Sequence, residues 1–104
     1  MDSGAQKPNF FQDFSNEVED LVTEDKTDED QKAMSYITHF RGWELLKQKK
    51  MRIIEYLDQS LSQAIANGMT REEIGDRALI KEMAKFALNS LVDKFEDARR
   101  IEDK

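Results

Sequence analysis

The last third of the chain most constrains its fold. From Arg71 onward there is no proline, and Leu79, Ile80, Met83, Ala84, Phe86, Ala87, Leu88, Leu91, Val92, Phe95, Ala98 and Ile101 recur at helical spacing. At about 100° per residue these positions cover roughly two-thirds of a helix circumference. A helix lying on a single neighbour needs a narrower apolar stripe, so this one is expected to be contacted from two or three sides. A chain with only two or three helices struggles to supply that cover alone. The pattern therefore predicts self-association or a permanent partner. The simplest solution is a twofold homodimer in which two antiparallel helical hairpins pack as a four-helix bundle, with an additional N-terminal amphipathic helix braced outside.

The helix boundaries follow from local chemistry. In "ANGMTREEI", Asn67-Gly68 closes one helix, with Gly68 supplying a left-handed residue. Thr70 to Glu73 then forms a capping box that opens the next, and Met69 and Ile74 are spaced as a hydrophobic staple. So short a connection favours antiparallel neighbours. Upstream, Thr27 followed by Asp28, Glu29 and Asp30 is a helix start: a hydroxyl cap with carboxylates at the positive end of the helix dipole. The pattern predicts a helix over 28–66, with an interruption allowed at Gly42. Further upstream, Phe10, Phe11, Phe14, Val18, Leu21 and Val22 share one stripe, which predicts a helix over 10–23 capped by Asn9. Residues 1–8 lack periodicity and read as a disordered tail. Residues 9–104 read as one all-α domain with helices at 10–23, 28–66 and 71–102.

Composition supports that reading. Charged residues are 37% and hydrophobic residues 38% of the 104-residue chain, with four Gly and one Pro, a balance that suits amphipathic helices better than strands. With no cysteine there is no disulfide, thiolate nucleophile or thiolate metal site. No apolar stretch approaches the roughly 20 residues of a membrane span, and no secretory signal stands at the start. A cytoplasmic protein is expected. Of the net charge of −6, residues 1–31 carry −8 and the remainder +2, which describes an acidic arm beside a mildly basic body.

Against that background "FRGWELLKQKKMRIIEYL" stands out, because Arg41, Lys47, Lys49, Lys50 and Arg52 surround one acid, Glu44. On the helical wheel the five cations ring the helix. Phe40, Trp43, Leu46, Ile53, Ile54, Leu57, Leu61, Ala64 and Ile65 form its apolar face, with Lys50 in the middle and Lys47 at the edge. An ammonium there must reach solvent or meet a carboxylate. Lys47 and Lys50 are accordingly expected to lie near acids of the N-terminal arm or of a second subunit.

Little in the sequence points to catalysis. The single histidine, His39, has no recognisable nucleophile context and reads as a helix-surface or boundary residue. The Glu-x-x-His pairs of a di-iron bundle are missing. "DKTDEDQKAMSY" departs from a calcium loop at Asp30, where Gly is required, and at Tyr36, where an acid is required. No cofactor is expected.

The reading that results is a small non-enzymatic helical protein-interaction module (a regulatory, adaptor or assembly factor) acting through apolar helix faces and the acidic arm. Its partners are itself, as a homodimer, or another protein. The expected contacts are Phe10, Phe11, Phe14, Trp43, Lys47, Lys50, Phe86 and Phe95. The alternative is a nucleic-acid-binding regulator that uses Arg41, Lys49 and Arg52 with the Arg77, Lys81, Lys85 row, the arm competing for the site. A third reading is an acidic mimic of nucleic acid that inhibits a partner protein.

Overall fold

A computed structural model describes residues 10–24 and 27–104. The expected tail over residues 1–8 and the Asn9 cap lie outside the described residues. Among the described residues the chain is all-helical: α1 (Phe10–Val22), α2 (Asp28–Ile37), α3 (Arg41–Ala66) and α4 (Arg71–Glu102).

The starts of α2 and α4 carry the chemistry that makes them. The Thr27 hydroxyl accepts from the Asp30 backbone N–H, and the Asp30 carboxylate accepts from the Thr27 N–H, so α2 opens on a complete capping box. Thr70 caps α4 by accepting from the Glu73 N–H, with Glu72 and Glu73 in the first turn and Arg99 and Arg100 in the last. Between α3 and α4, Gly68 takes φ 72°. The Gly68 N–H bonds to the Ile65 carbonyl at 3.2 Å and the Met69 N–H to the Ala64 carbonyl at 3.1 Å. That pair is a Schellman closure, which satisfies two carbonyls the helix end would otherwise leave open.

The long helix expected over 28–66 is two helices, and the interruption is at Thr38–Phe40 rather than at Gly42. The Thr38 hydroxyl is buried and donates to the Ser35 carbonyl at 2.6 Å, while the Thr38 carbonyl accepts from Arg99 Nη1 at 3.4 Å. Phe40 then turns extended, at φ −102° and ψ 154°, and starts α3 without a side-chain cap. The break is held by α4 through Arg99, a contact that local propensity cannot anticipate. Gly42 sits in the first turn of α3 with nothing within 4 Å of where a Cβ would lie.

Helix α4 is the axle of the fold: α1, α2 and α3 each pack on it. Its 32 residues, about 48 Å at ~1.5 Å per residue, account for the longest dimension of 49 × 36 × 16 Å. Contacts between α3 and α4 run in opposite order along the two helices. Trp43 and Lys47 meet Glu96, Lys50 meets Asn89, Asp58 meets Lys81 and Ser60 meets Arg77.

The body is thin. Its 16 Å depth matches about two helix layers, with axes ~10 Å apart. Its radius of gyration is 17.7 Å, against about 13 Å for a compact chain near this length. The buried apolar residues are Trp43, Ile54, Ala64, Val92 and Ala98, and among the described residues no large side chain is fully buried.

Candidate protein-interaction surface

One polar clamp holds α3 to α4, and an open apolar trough lies beside it. Trp43, 6% exposed, stacks on Phe95 with ring centroids 5.3 Å apart and planes at 25°. Its indole Nε1 donates to Glu96 Oε2 at 3.1 Å, and Lys47 Nζ donates to Glu96 Oε1 at 3.0 Å while lying 3.3 Å from Glu44. Burial alone would push the Glu96 carboxyl up; the hydrogen bonds from Lys47 and Trp43 outweigh it and hold the group below the usual carboxylate range. The Glu96 hydrogen bond raises Lys47 above the ordinary lysine value, against the opposing effect of partial burial. Lys50, the cation centred on the apolar face, donates to the Asn89 side-chain carbonyl at 2.8 Å.

These contacts give Lys47 and Lys50 partners within the chain. Among the described residues the acid that meets Lys47 from across the fold is Glu96 of α4. Lys50 meets an amide oxygen rather than a carboxylate. Both follow from α3 lying along α4 with its apolar face inward, which carries the two lysine stems to polar groups on the α4 rim.

The trough is lined by Ile37 at the end of α2, Phe40, Gly42, Trp43 and Leu46 around the start of α3, and Leu91, Val92 and Phe95 of α4; it encloses about 500 Å³. Its walls continue beyond this volume. Ile53 lies seven residues after Leu46, and Ile80 lies eleven before Leu91. Both offsets return a helix to nearly the same side. Ile37, Phe40, Leu46, Ile53, Ile80 and Leu91 are all about half exposed. Helix α2 explains why the trough starts where it does. Gln31 Nε2 donates to Glu102 Oε2 at 2.8 Å and Arg99 reaches the Thr38 carbonyl, so α2 covers the C-terminal part of α4, where Ala98 is buried. Leu91, one heptad earlier on the same side, lies past the end of α2 and is left open.

The remaining expected contacts distribute as follows. Phe11 meets Phe86 edge to face, with centroids 6.1 Å apart, and Phe14 is half-buried, so α1 docks on α4 through these rings. Phe10 points away and is exposed. Trp43 and Phe95 are joined in the clamp, and Phe95 also lines the trough.

The cations proposed for nucleic acid divide into two groups. Arg77 Nη1 donates to Ser60 Oγ at 2.6 Å and Lys81 pairs with Asp58 at 2.7 Å, both across the α3–α4 seam, and the hydrogen bond to Asp58 raises the Lys81 pKa. Lys85 is exposed beside Phe11 and Phe86. Arg41, Lys49 and Arg52 are exposed on α3, and none of them forms an ion pair among the described residues. With Lys47 and Lys50 turned to α4, the apparent ring of charge reduces to these three on one outer arc. His39 lies exposed in the turn between α2 and α3, with Nε2 3.7 Å from Asp103 Oδ1.

Sequence reasoning missed Ile37 as part of the trough. Phe40, Leu46 and Leu91 had been placed on apolar faces, but nothing in the sequence assigned them to one opening. The available signal was that the apolar face of the last helix is wider than one neighbour can cover. Among the described residues no helix is long and apolar enough to cross a membrane. No family model, curated protein or solved structure matches this chain.

Proposed function

We propose that this chain is a non-enzymatic helical protein-interaction module whose docking surface is the trough between α2, α3 and α4. The observation that carries the reading is the trough itself, an apolar channel of about 500 Å³ continued by half-exposed Ile53 and Ile80. The six half-exposed side chains present on the order of 500 Å² of apolar surface, at the upper end of the largest patch on an ordinary monomer and a large share of the ~800 Å² per partner of a standard stable interface.

The occupant that best fits a body this thin is a second copy. A chain with five buried apolar residues among those described gains most from a partner that is always present in equal amount. The α3–α4 hairpins of two copies, facing each other through the trough, make a helical bundle completed by dimerisation. No charged side chain lines the trough, so a twofold pairing brings no like charges together at its centre.

The test is light scattering coupled to size-exclusion chromatography on the intact chain. Wild type is expected at twice the chain mass at micromolar concentration. Leu46→Asp/Leu91→Asp is expected at the monomer mass with its helical circular dichroism retained. A wild-type monomer would overturn the dimer, and a double variant that still dimerises would remove the trough from the interface.

A further inference from the structure

Two exposed faces outside the trough match each other. On α1, with Phe11, Phe14, Val18 and Val22 turned toward α4, the outer arc carries Asp13, Glu17 and Asp20, and two exposed apolar residues, Phe10 (66%) and Leu21 (62%), stand at its margin before and after them along the helix. On α3, the arc facing away from α4 carries Lys49 and Arg52 between Leu45 (42%) and Tyr56 (67%), with Arg41 one turn before Leu45. The α3 arc spans about 80° on the wheel and contains no acid, its other members being Gln59 and Gln63, with Gln48 at its edge and Glu55 just beyond.

The spacing agrees as well as the sign. Phe10 and Leu21 are eleven residues apart, and so are Leu45 and Tyr56; each pair spans about 16.5 Å. Laid antiparallel, with Phe10 beside Tyr56 and Leu21 beside Leu45, the rows place Asp13 within one residue's rise of Arg52 and Glu17 level with Lys49. Asp20 then lies level with Leu46, about 7.5 Å along the axis from Arg41.

The geometry points to a second contact between copies of this chain, in which the outer face of α1 on one copy docks on the outer face of α3 on another. Phe86, which meets α1, and the α4 residues that meet α3 lie on the order of 120° apart around α4, so the two outer faces point in different directions. One neighbour cannot satisfy both. The contact is therefore head-to-tail and links copies into rings or chains. It rests on the dimer reading for the unit being linked, and it uses surface the trough does not.

Salt separates the two contacts. An apolar trough interface is insensitive to moderate salt, whereas exposed charge pairs weaken as the Debye length falls from about 20 Å or more at ~20 mM to ~4 Å at ~500 mM. The chain's net charge of −6 opposes association at low salt, so growth there requires a local match of opposite charge. The experiment is sedimentation velocity of the intact chain at both salt concentrations and at several protein concentrations. Wild type is expected to form species larger than the dimer at low salt and to return to the dimer at high salt. Lys49→Glu/Arg52→Glu is expected to weaken the low-salt association at least tenfold and leave the dimer intact. Glu17→Lys/Lys49→Glu, which exchanges the two signs, is expected to restore it.

A wild type that stays dimeric at low salt overturns the inference and leaves the dimer standing. So does a charge-reversed variant that assembles like wild type, or an exchange that restores nothing. Low-salt species that form only when duplex DNA is added assign the α3 face to phosphates and overturn it too. A monomer at high salt instead removes the dimer reading, while the low-salt comparison among variants still judges the α1–α3 contact.

Discussion

Glu96→Gln isolates the clamp between α3 and α4. The carboxylate accepts from Trp43 Nε1 with one oxygen and from Lys47 Nζ with the other. Glutamine keeps the size but has one carbonyl oxygen, so its NH₂ must face either the indole N–H or the ammonium, donor against donor. Hydrogen bonds to charged groups contribute about 1.5–3 kcal/mol. Glu96 and Lys47 side chains are 29% and 27% exposed, and Lys47 retains Glu44 at 3.3 Å. These features place the loss at about 2 kcal/mol after screening. For a chain of this size that is a fall in Tm of about 10 °C, measured by thermal circular dichroism at fixed protein concentration, because association adds to apparent stability.

The pH dependence gives an independent reading of the same clamp. Because the Glu96 pKa is lowered in the folded state, its contribution is complete above the unfolded value of about 4.3. That contribution is lost as pH falls through the lower folded value. Wild type should therefore lose stability in acid more steeply than Glu96→Gln, and the gap between them should narrow as pH falls below about 4.3 and through the lower folded value. The raised Lys47 pKa acts at the other end: its contribution is complete below about 10.4 and is lost as pH rises through the higher folded value. Between about pH 6 and 9 neither group titrates, and the gap should be flat. A gap below about 0.5 kcal/mol at pH 7, or one that persists unchanged into acid, would refute the clamp.

Further outcomes follow from backbone geometry and capping. Gly68→Ala must hold φ near +72° and is expected to cost about 1–2 kcal/mol in urea unfolding. Gly75→Ala, inside α4 with nothing within 4 Å of the added Cβ, is expected to gain about 0.5–1 kcal/mol. A Gly68→Ala variant as stable as wild type would dismiss the Schellman closure. Thr27→Ala removes the hydroxyl half of the α2 capping box, the bond from the Asp30 N–H, and leaves the Thr27 backbone N–H to donate to Asp30; it is expected to cost about 1 kcal/mol, and faster hydrogen exchange confined to the Gln31–Ser35 amides would show the loss to be local to α2.

Local signals in the sequence carried the all-α class, the starts of α2 and α4 and the end of α3. Thr27, Asn67-Gly68 and Thr70 each act through backbone groups within four residues, so their chemistry is complete before any packing exists. The apolar periodicities likewise placed Phe11, Trp43, Phe86 and Phe95 on the apolar sides of their helices, where they were expected as partner contacts. Tertiary structure decided the rest, because it depends on which faces meet. The break at Thr38–Phe40 needs Arg99, sixty-one residues away, to hold the Thr38 carbonyl. Whether Lys47 and Lys50 read as a basic cluster or as rim contacts depended on Glu96 and Asn89, which no spacing within α3 reveals. The trough arises because α2 is too short to cover α4 beyond Ala98, a consequence of that same break. A helix wheel shows that α4 has more apolar surface than one neighbour can bury. Only the packed chain shows which part of that surface stays open.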